Sequence, residues 1–288
     1  MIRYLHYFIH GASYIYINLF LFIMHEEVNY STTTFSSKGI LSHCERALAA
    51  GKNGALSVGI RGTNGIVLAS IKKVPSTLVE IESIQKVFMV CDTIICTYSG
   101  LSGDFRLALE MGRKIASDYY RIYGRYPYID TFMKEFSKVL QEKTQRERRP
   151  IGCICLFAGY TQNNKYIQDA MASIQENELN EDTLVCDVSG GDGIGNTVPL
   201  LYQIDPSGSV SSGFSFAVGK MYKESSDFLK KRCSVDVEVH DAVVISALAL
   251  QEYSEVSVSA KEISISVVTR EGVQEYTQEE VQNILHSI

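Results

Sequence analysis

Proline is scarce in this chain, paired-cysteine spacing is missing, and there is no surplus of positive charge. Five prolines and 21 glycines in 288 residues are too few for a collagen-like or low-complexity chain. With 45% apolar and 21% charged residues, the composition is that of a folded protein with a sizeable core. The length is about twice that of an average domain but also common for one large α/β unit, so it does not set the domain count. Lys and Arg total 27 against 33 Asp and Glu, a net charge of -6 that argues against a chain built to coat nucleic acid. The seven cysteines (Cys44, Cys91, Cys96, Cys153, Cys155, Cys186 and Cys233) are odd in number, include no CxxC pair and fall mostly in apolar runs. That pattern excludes a disulfide framework or zinc ribbon and predicts a reduced, intracellular chain whose cysteines act as small hydrophobes.

One long stretch lacks charge altogether. Residues 4–24 contain no Asp, Glu, Lys or Arg, and their apolar centre at 14–23 approaches the length of a membrane span or a signal h-region. His6, His10 and Asn18 weaken it as a span, and no small-x-small cleavage site follows. The opposite extreme is 163–198, where seven acids face one lysine. Their sum of -6 is the whole net charge of the protein, and this reads as an acidic surface insertion.

Between these segments the periodicities are regular. Ile40, Leu41, Cys44, Ala47 and Leu48 form one helical stripe ending near Gly51. Runs 55–61 and 66–72 read as a hairpin in which Asn64-Gly65 supplies positive φ. Strands follow at 86–90 and 93–99, then helices at 104–123 and 130–146, the second with Phe132, Phe136, Val139 and Leu140 on one face. A strand pair is expected at 151–160 and 199–204. The turn Asp205-Pro206-Ser207-Gly208 then leads into one strand reaching about Val218. Helices at 226–232 and 236–253, a strand at 262–270 and a last helix opened by the capping box Thr277 with Glu280 complete the order. Adjacent hairpins outnumber strict βαβ units, which predicts an α+β fold of two antiparallel sheets flanked by pairs of helices.

No catalytic constellation emerges from the residues alone. Thr32-Thr33-Thr34 would need a freed α-amino group to act as a nucleophile, and nothing marks a cleavage before it. The glycine-rich run 189–195 leads to a strand rather than opening a helix, so it reads as a linker rather than a phosphate loop. His43-Cys44 and His240-Asp241 are helix neighbours that point about 100° apart and do not face each other. Arg146, Arg148 and Arg149 are accounted for as cations at a helix C-terminus.

The segment 30–47, with Phe35-Ser36-Ser37, Gly39, Leu41 and Glu45-Arg46-Ala47, resembles the N-terminal signature of proteasome alpha-type subunits. Ser57-Val58-Gly59-Ile60, Lys72-Lys73, Tyr98-Ser99-Gly100-Leu101, Arg149-Pro150-Ile151-Gly152 and Tyr202-Gln203-Ile204-Asp205-Pro206-Ser207-Gly208 follow in the family's order. Asp227-Phe228-Leu229 and the ending at Ile288 look most like the type 2 branch.

The resemblance implies the four-layer αββα sandwich of N-terminal-nucleophile hydrolases, without proteolysis by this chain. Ala55, preceded by Gly54, matches the position of the catalytic threonine in beta subunits, and a methyl group cannot attack a carbonyl. It further implies a place in a seven-membered ring of alpha subunits stacked on a beta ring, a share in the gate, and docking of regulatory-particle ATPase tails or other activators. These act in ATP- and ubiquitin-dependent protein degradation in cytoplasm and nucleus, with no cofactor, metal or nucleic acid. Lys86 matches the lysine that meets an activator's C-terminal carboxylate, and Gly54, Gly100 and Leu101 match the pocket wall; the plainer alternative for Lys86 is a solvated strand-end lysine. The gate positions fall on Val28, Asn29, Ser37 and Arg46, which depart from the usual aromatic and proline cluster, with Tyr30 as a possible substitute. The likeness begins near Met24, so residues 1–23 are expected to lie outside the working domain at 24–288. The rival readings are a membrane-tethered adaptor using 4–24 and an active standalone N-terminal-nucleophile hydrolase.

Overall fold

The computed structural model describes residues 35, 39–74, 76, 78–146, 149–162, 197–234, 236–254 and 258–287. The apolar stretch 4–24, the threonine run 32–34, the glycine-rich run 189–195 and the acidic tract up to 196 lie outside the described residues. Helix α1 (Ser42–Lys52) leads into β1 (Ser57–Arg61) and β2 (Gly65–Ile71), then β3 (Val87–Cys91) and β4 (Ile94–Gly100). Helices α2 (Ser102–Tyr123) and α3 (Ile129–Arg146) follow, then β5 (Cys153–Gln162), β6 (Thr197–Ile204), β7 (Val210–Gly213) and β8 (Ser215–Val218). The chain ends with α4 (Tyr222–Arg232), α5 (Val239–Glu252), β9 (Ile263–Thr269), β10 (Gly272–Glu275) and α6 (Gln278–Ser287).

Among the described residues two five-stranded sheets result, ordered β10-β9-β2-β1-β8 and β3-β4-β5-β6-β7, with every pair antiparallel. Helices α4 and α5 cover the first sheet, with α6 against α5; α2 and α3 cover the second. The central strands β1, β2, β4 and β5 therefore have two buried faces, which is why they read as nearly continuous apolar runs. Along β2, Ile66 and Leu68 join the core between the sheets while Val67 and Ala69 face the helices. Along β4, Ile95 points between the sheets and Ile94, Cys96 and Tyr98 point at α2 and α3. The expected α+β sandwich of four layers is what the chain forms.

Three local expectations need correction. The β1–β2 turn has no positive φ at Asn64 or Gly65. Its glycines are required by crowding instead: a Cβ on Gly65 would stand 2.6 Å from the Val268 carbonyl oxygen, and one on Gly62 would stand 2.9 Å from that of Val237. The single strand expected up to Val218 is two strands in different sheets, β7 on β6 and β8 on β1, with the switch at Phe214. Gly213 permits that switch, since a Cβ there would meet the Phe216 ring at 2.9 Å. The strand expected at 199–204 starts two residues earlier, at Thr197.

The helix ends follow their chemistry. Helix α2 stops at Gly124, which takes φ +69 and donates its N–H to the Tyr120 carbonyl at 2.8 Å. At α6 the Thr277 N–H donates to Glu280 Oε2 at 2.8 Å and the Glu280 N–H returns to Thr277 Oγ1, the capping box expected from sequence. The six described cysteines are free thiols, and burial raises the pKa of Cys91, Cys96 and Cys233.

Candidate functional site: a lysine-backed cavity at the head of β1

Four backbone segments converge where α1 ends and β1 begins, and they come this close only because they carry glycine. A Cβ on Gly54 would lie 2.1 Å from the Gly100 nitrogen and 2.3 Å from Ser99 Oγ. Gly100, at φ +124, passes the Gly152 carbonyl oxygen so tightly that a Cβ would stand 2.4 Å from it. Gly219, at φ +111, abuts the Ala55 carbonyl, and the Lys220 N–H donates to the Gly54 carbonyl at 3.0 Å. Buried hydroxyls tie the same segments: Ser99 Oγ donates to the Gly51 carbonyl at 2.9 Å, and Ser57 Oγ to that of Tyr98 at 3.0 Å.

Beside this junction opens a cavity of about 680 Å³. Its apolar wall includes Ala55, Leu56, Ile71 and Ile84, and its charged lining is Lys72, Lys73, Lys86, Lys220 and Glu262. That volume suits a small ligand or the end of a peptide. Among the described residues the lining is unbalanced, with four amines against one carboxylate, and Glu262 is already engaged as acceptor from the Ser259 N–H and hydroxyl. Anions are therefore favoured occupants.

Lys86 is 7% exposed, not a solvated strand-end lysine. It immediately precedes β3, and its carbonyl accepts the Thr97 hydroxyl at 2.9 Å, which fixes its backbone to β4. The ammonium lies 4.1 Å from the centroid of the Tyr98 ring. That contact offsets part of the cost of taking the charge out of water. Desolvation still lowers its pKa to about 8. Tyr98 is in turn stacked on Phe105 at 3.9 Å between centroids, with Phe88 against the same ring, so α2 holds the floor of the site rigid.

Gly54, Gly100, Ala55 and Lys86 thus meet in one cavity, but Leu101 does not line it. Leu101 caps α2, is 49% exposed, and lies over Gly152. Of the gate positions only Arg46 is described, on the exposed side of α1; Val28, Asn29, Tyr30 and Ser37 lie outside the described residues.

Sequence reasoning passed over two parts of the site. Lys72, Lys73 and Lys220 were not assigned to it, because their convergence with Lys86 depends on sheet pairing across the whole chain. Arg149 was assigned to a helix dipole, yet it grips both carboxylate oxygens of Asp104, which also accepts the Gly152 N–H at 2.8 Å. These bonds hold Asp104 below the usual carboxylate range. They pin the start of α2 to the strand entering β5, directly behind Gly100. The Arg149-Pro150 block is visible in the sequence; nothing in one sequence pairs it with Asp104.

Comparison with known proteins agrees with this architecture. Residues 51–180 and 182–268 match the family described as proteasome subunit. Proteasome subunit alpha type-2 of rice, Oryza sativa subsp. indica, is 35% identical over 243 residues, covering 84% of this chain and 89% of its own. The alpha type-2 subunit of Saccharomyces cerevisiae is 33% identical over 251 residues, 86% of this chain and 87% of its own. That of Drosophila melanogaster is 33% identical over 264 residues, 91% and 98%. With a family match over most of its length and relatives above 30% identity, the chain belongs to the proteasome subunit family.

Proposed function

We propose that this protein is a noncatalytic alpha-ring subunit of the 20S proteasome, in the type 2 position, and that the Lys86 cavity docks the C-terminal tails of regulatory particles. The observation that carries the ring assignment is the alpha type-2 likeness over 84% to 91% of the chain. Proteolysis is not its part: Ala55 stands just before β1, lining the cavity with a methyl group where a nucleophile would need a hydroxyl. Its partners are the neighbouring alpha subunits of a seven-membered ring and the beta ring beneath. Its place is the cytoplasm and nucleus. Among the described residues no helix is long and apolar enough to cross a membrane.

The docking reading rests on the chemistry of the cavity. A chain terminus offers one carboxylate on an extended backbone, and the cavity offers a lysine at its back and further lysines around it. Gly54 and Gly100 let the wall segments pack directly against one another, which fixes the shape of the cavity a tail would enter. The Arg149–Asp104 pair keeps that wall in place.

Native mass spectrometry of the particle purified through a C-terminal tag on this chain tests the assignment. A stack of rings containing this chain among other proteasome subunits is the expected result. A monomer, or peptide turnover by the isolated chain, would overturn it.

A further inference from the structure

A buried lysine at the back of an accessible cavity is also a nucleophile, and the surroundings of Lys86 are those that make one. Its ammonium has the Tyr98 ring face as neighbour and no ion-pair partner among the described residues. A ring face holds an ammonium less firmly than a carboxylate would, so the amine is not locked in its charged form. We propose that Lys86 is a carbonyl-reactive amine, and that the cavity is a modification site for small anionic aldehydes, a carbonyl group on a body carrying phosphate or carboxylate. The inference rests on the same cavity as tail docking and adds a means of regulating it.

Three features support it. The space, about 680 Å³, admits a body of that size. The lining residues Lys73 and Lys220 are exposed, so the cavity reaches the surface, and with Lys72 they draw an anion inward. Desolvation lowers the Lys86 pKa to about 8, so more of it is unprotonated near neutral pH than of an ordinary lysine.

The step balances without any redox partner. The Nζ lone pair attacks the carbonyl carbon, and a proton passes from nitrogen to the former carbonyl oxygen to give a carbinolamine. The hydroxyl then leaves as water with the remaining nitrogen proton while the C=N bond forms. Hydrolysis reverses it. The adduct places an anionic body in the space a tail carboxylate would occupy, so an aldehyde-loaded particle loses activator docking.

The test uses the assembled particle with pyridoxal 5′-phosphate as the anionic aldehyde and pyridoxal as its uncharged-body counterpart, each trapped by borohydride and mapped by peptide mass spectrometry. Lys86 should be labelled about tenfold or more faster than the exposed Lys230, and pyridoxal should react several-fold more slowly than its phosphate. Labelling of Lys86 no faster than Lys230 would overturn the proposal, and equal rates for the two aldehydes would overturn its anionic selectivity. Tail-peptide affinity of the labelled particle separates the two readings. An adduct at Lys86 with unchanged affinity leaves the amine chemistry standing and removes docking. Docking lost in Lys86→Ala without any adduct on the native particle does the reverse.

Discussion

The two helical layers bury their sheets with different materials. Under α2 and α3 the core contains two groups of rings, Tyr98 with Phe105 and Phe88, and Phe132 with Phe136 and Phe157. Under α4 and α5 the buried side chains are aliphatic, and α5 meets its sheet through Ala242, Val243, Ala247, Ala249 and Leu250. Rings hold a wide gap open and fix orientation; alanines let a helix lie close. The ring-filled layer is the one that ends at Tyr98, under the Lys86 ammonium, so the material of the core also forms the floor of the site.

That contrast is breakable in order of expected effect. Phe136→Ala removes a fully buried ring from between Phe132 and Phe157 and should cost about 3–5 kcal/mol in chemical denaturation. In the aliphatic layer the sensitivity has the opposite sign of volume: Ala247→Leu adds bulk at a fully buried position and should cost about 1–3 kcal/mol. Equal tolerance of both substitutions would mean the layers do not differ in packing as described.

Asp104→Asn tests the clamp that joins the ring-filled layer to the cavity wall. Arg149 is largely exposed, so its pairing contributes modestly, and the loss should be about 1–2 kcal/mol near neutral pH. The Asp104 pKa is depressed in the folded chain, so this contribution is present above the ordinary carboxylate range and disappears as pH falls through the folded value. The difference between native and variant should therefore vanish in acid, as read from stability measured across pH. In the other layer, Thr277→Ala removes the cap of α6 and should cost about 1 kcal/mol with little pH dependence above that range.

The legibility of the fold divides along similar lines. Helices α2 and α3 were readable because Phe105, Leu109, Phe132 and Phe136 repeat at helical spacing on otherwise polar segments, and α6 because Thr277 and Glu280 form a local device. The β7–β8 switch at Phe214 was not readable, since both halves have strand composition and only partner choice separates them. The Asn64-Gly65 turn misled because glycine serves two ends. Positive φ can be read from a dipeptide, whereas the approach of the Val268 carbonyl comes from a strand some 200 residues later in the chain.

The site divides the same way. Lys86, Gly54 and Gly100 were named through family likeness, and the structure brings them to one cavity. Burial of Lys86 on the Tyr98 ring could not be read from either residue alone. Lys220 arrives by way of a corner in which Gly219 and Met221 both take positive φ, a conformation no neighbouring residue announces.

The most direct test of the account is the affinity of the particle for a regulatory-particle tail peptide, native against Lys86→Ala, measured from pH 6.5 to 9. The account predicts a loss of about tenfold or more in the variant with the ring intact. It also predicts native binding that weakens as pH rises past about 8, because the tail stays anionic while Lys86 gives up its proton. The bound carboxylate favours the ammonium, which places the midpoint in the complex somewhat higher. Unchanged affinity in Lys86→Ala, with no weakening at high pH, would contradict it.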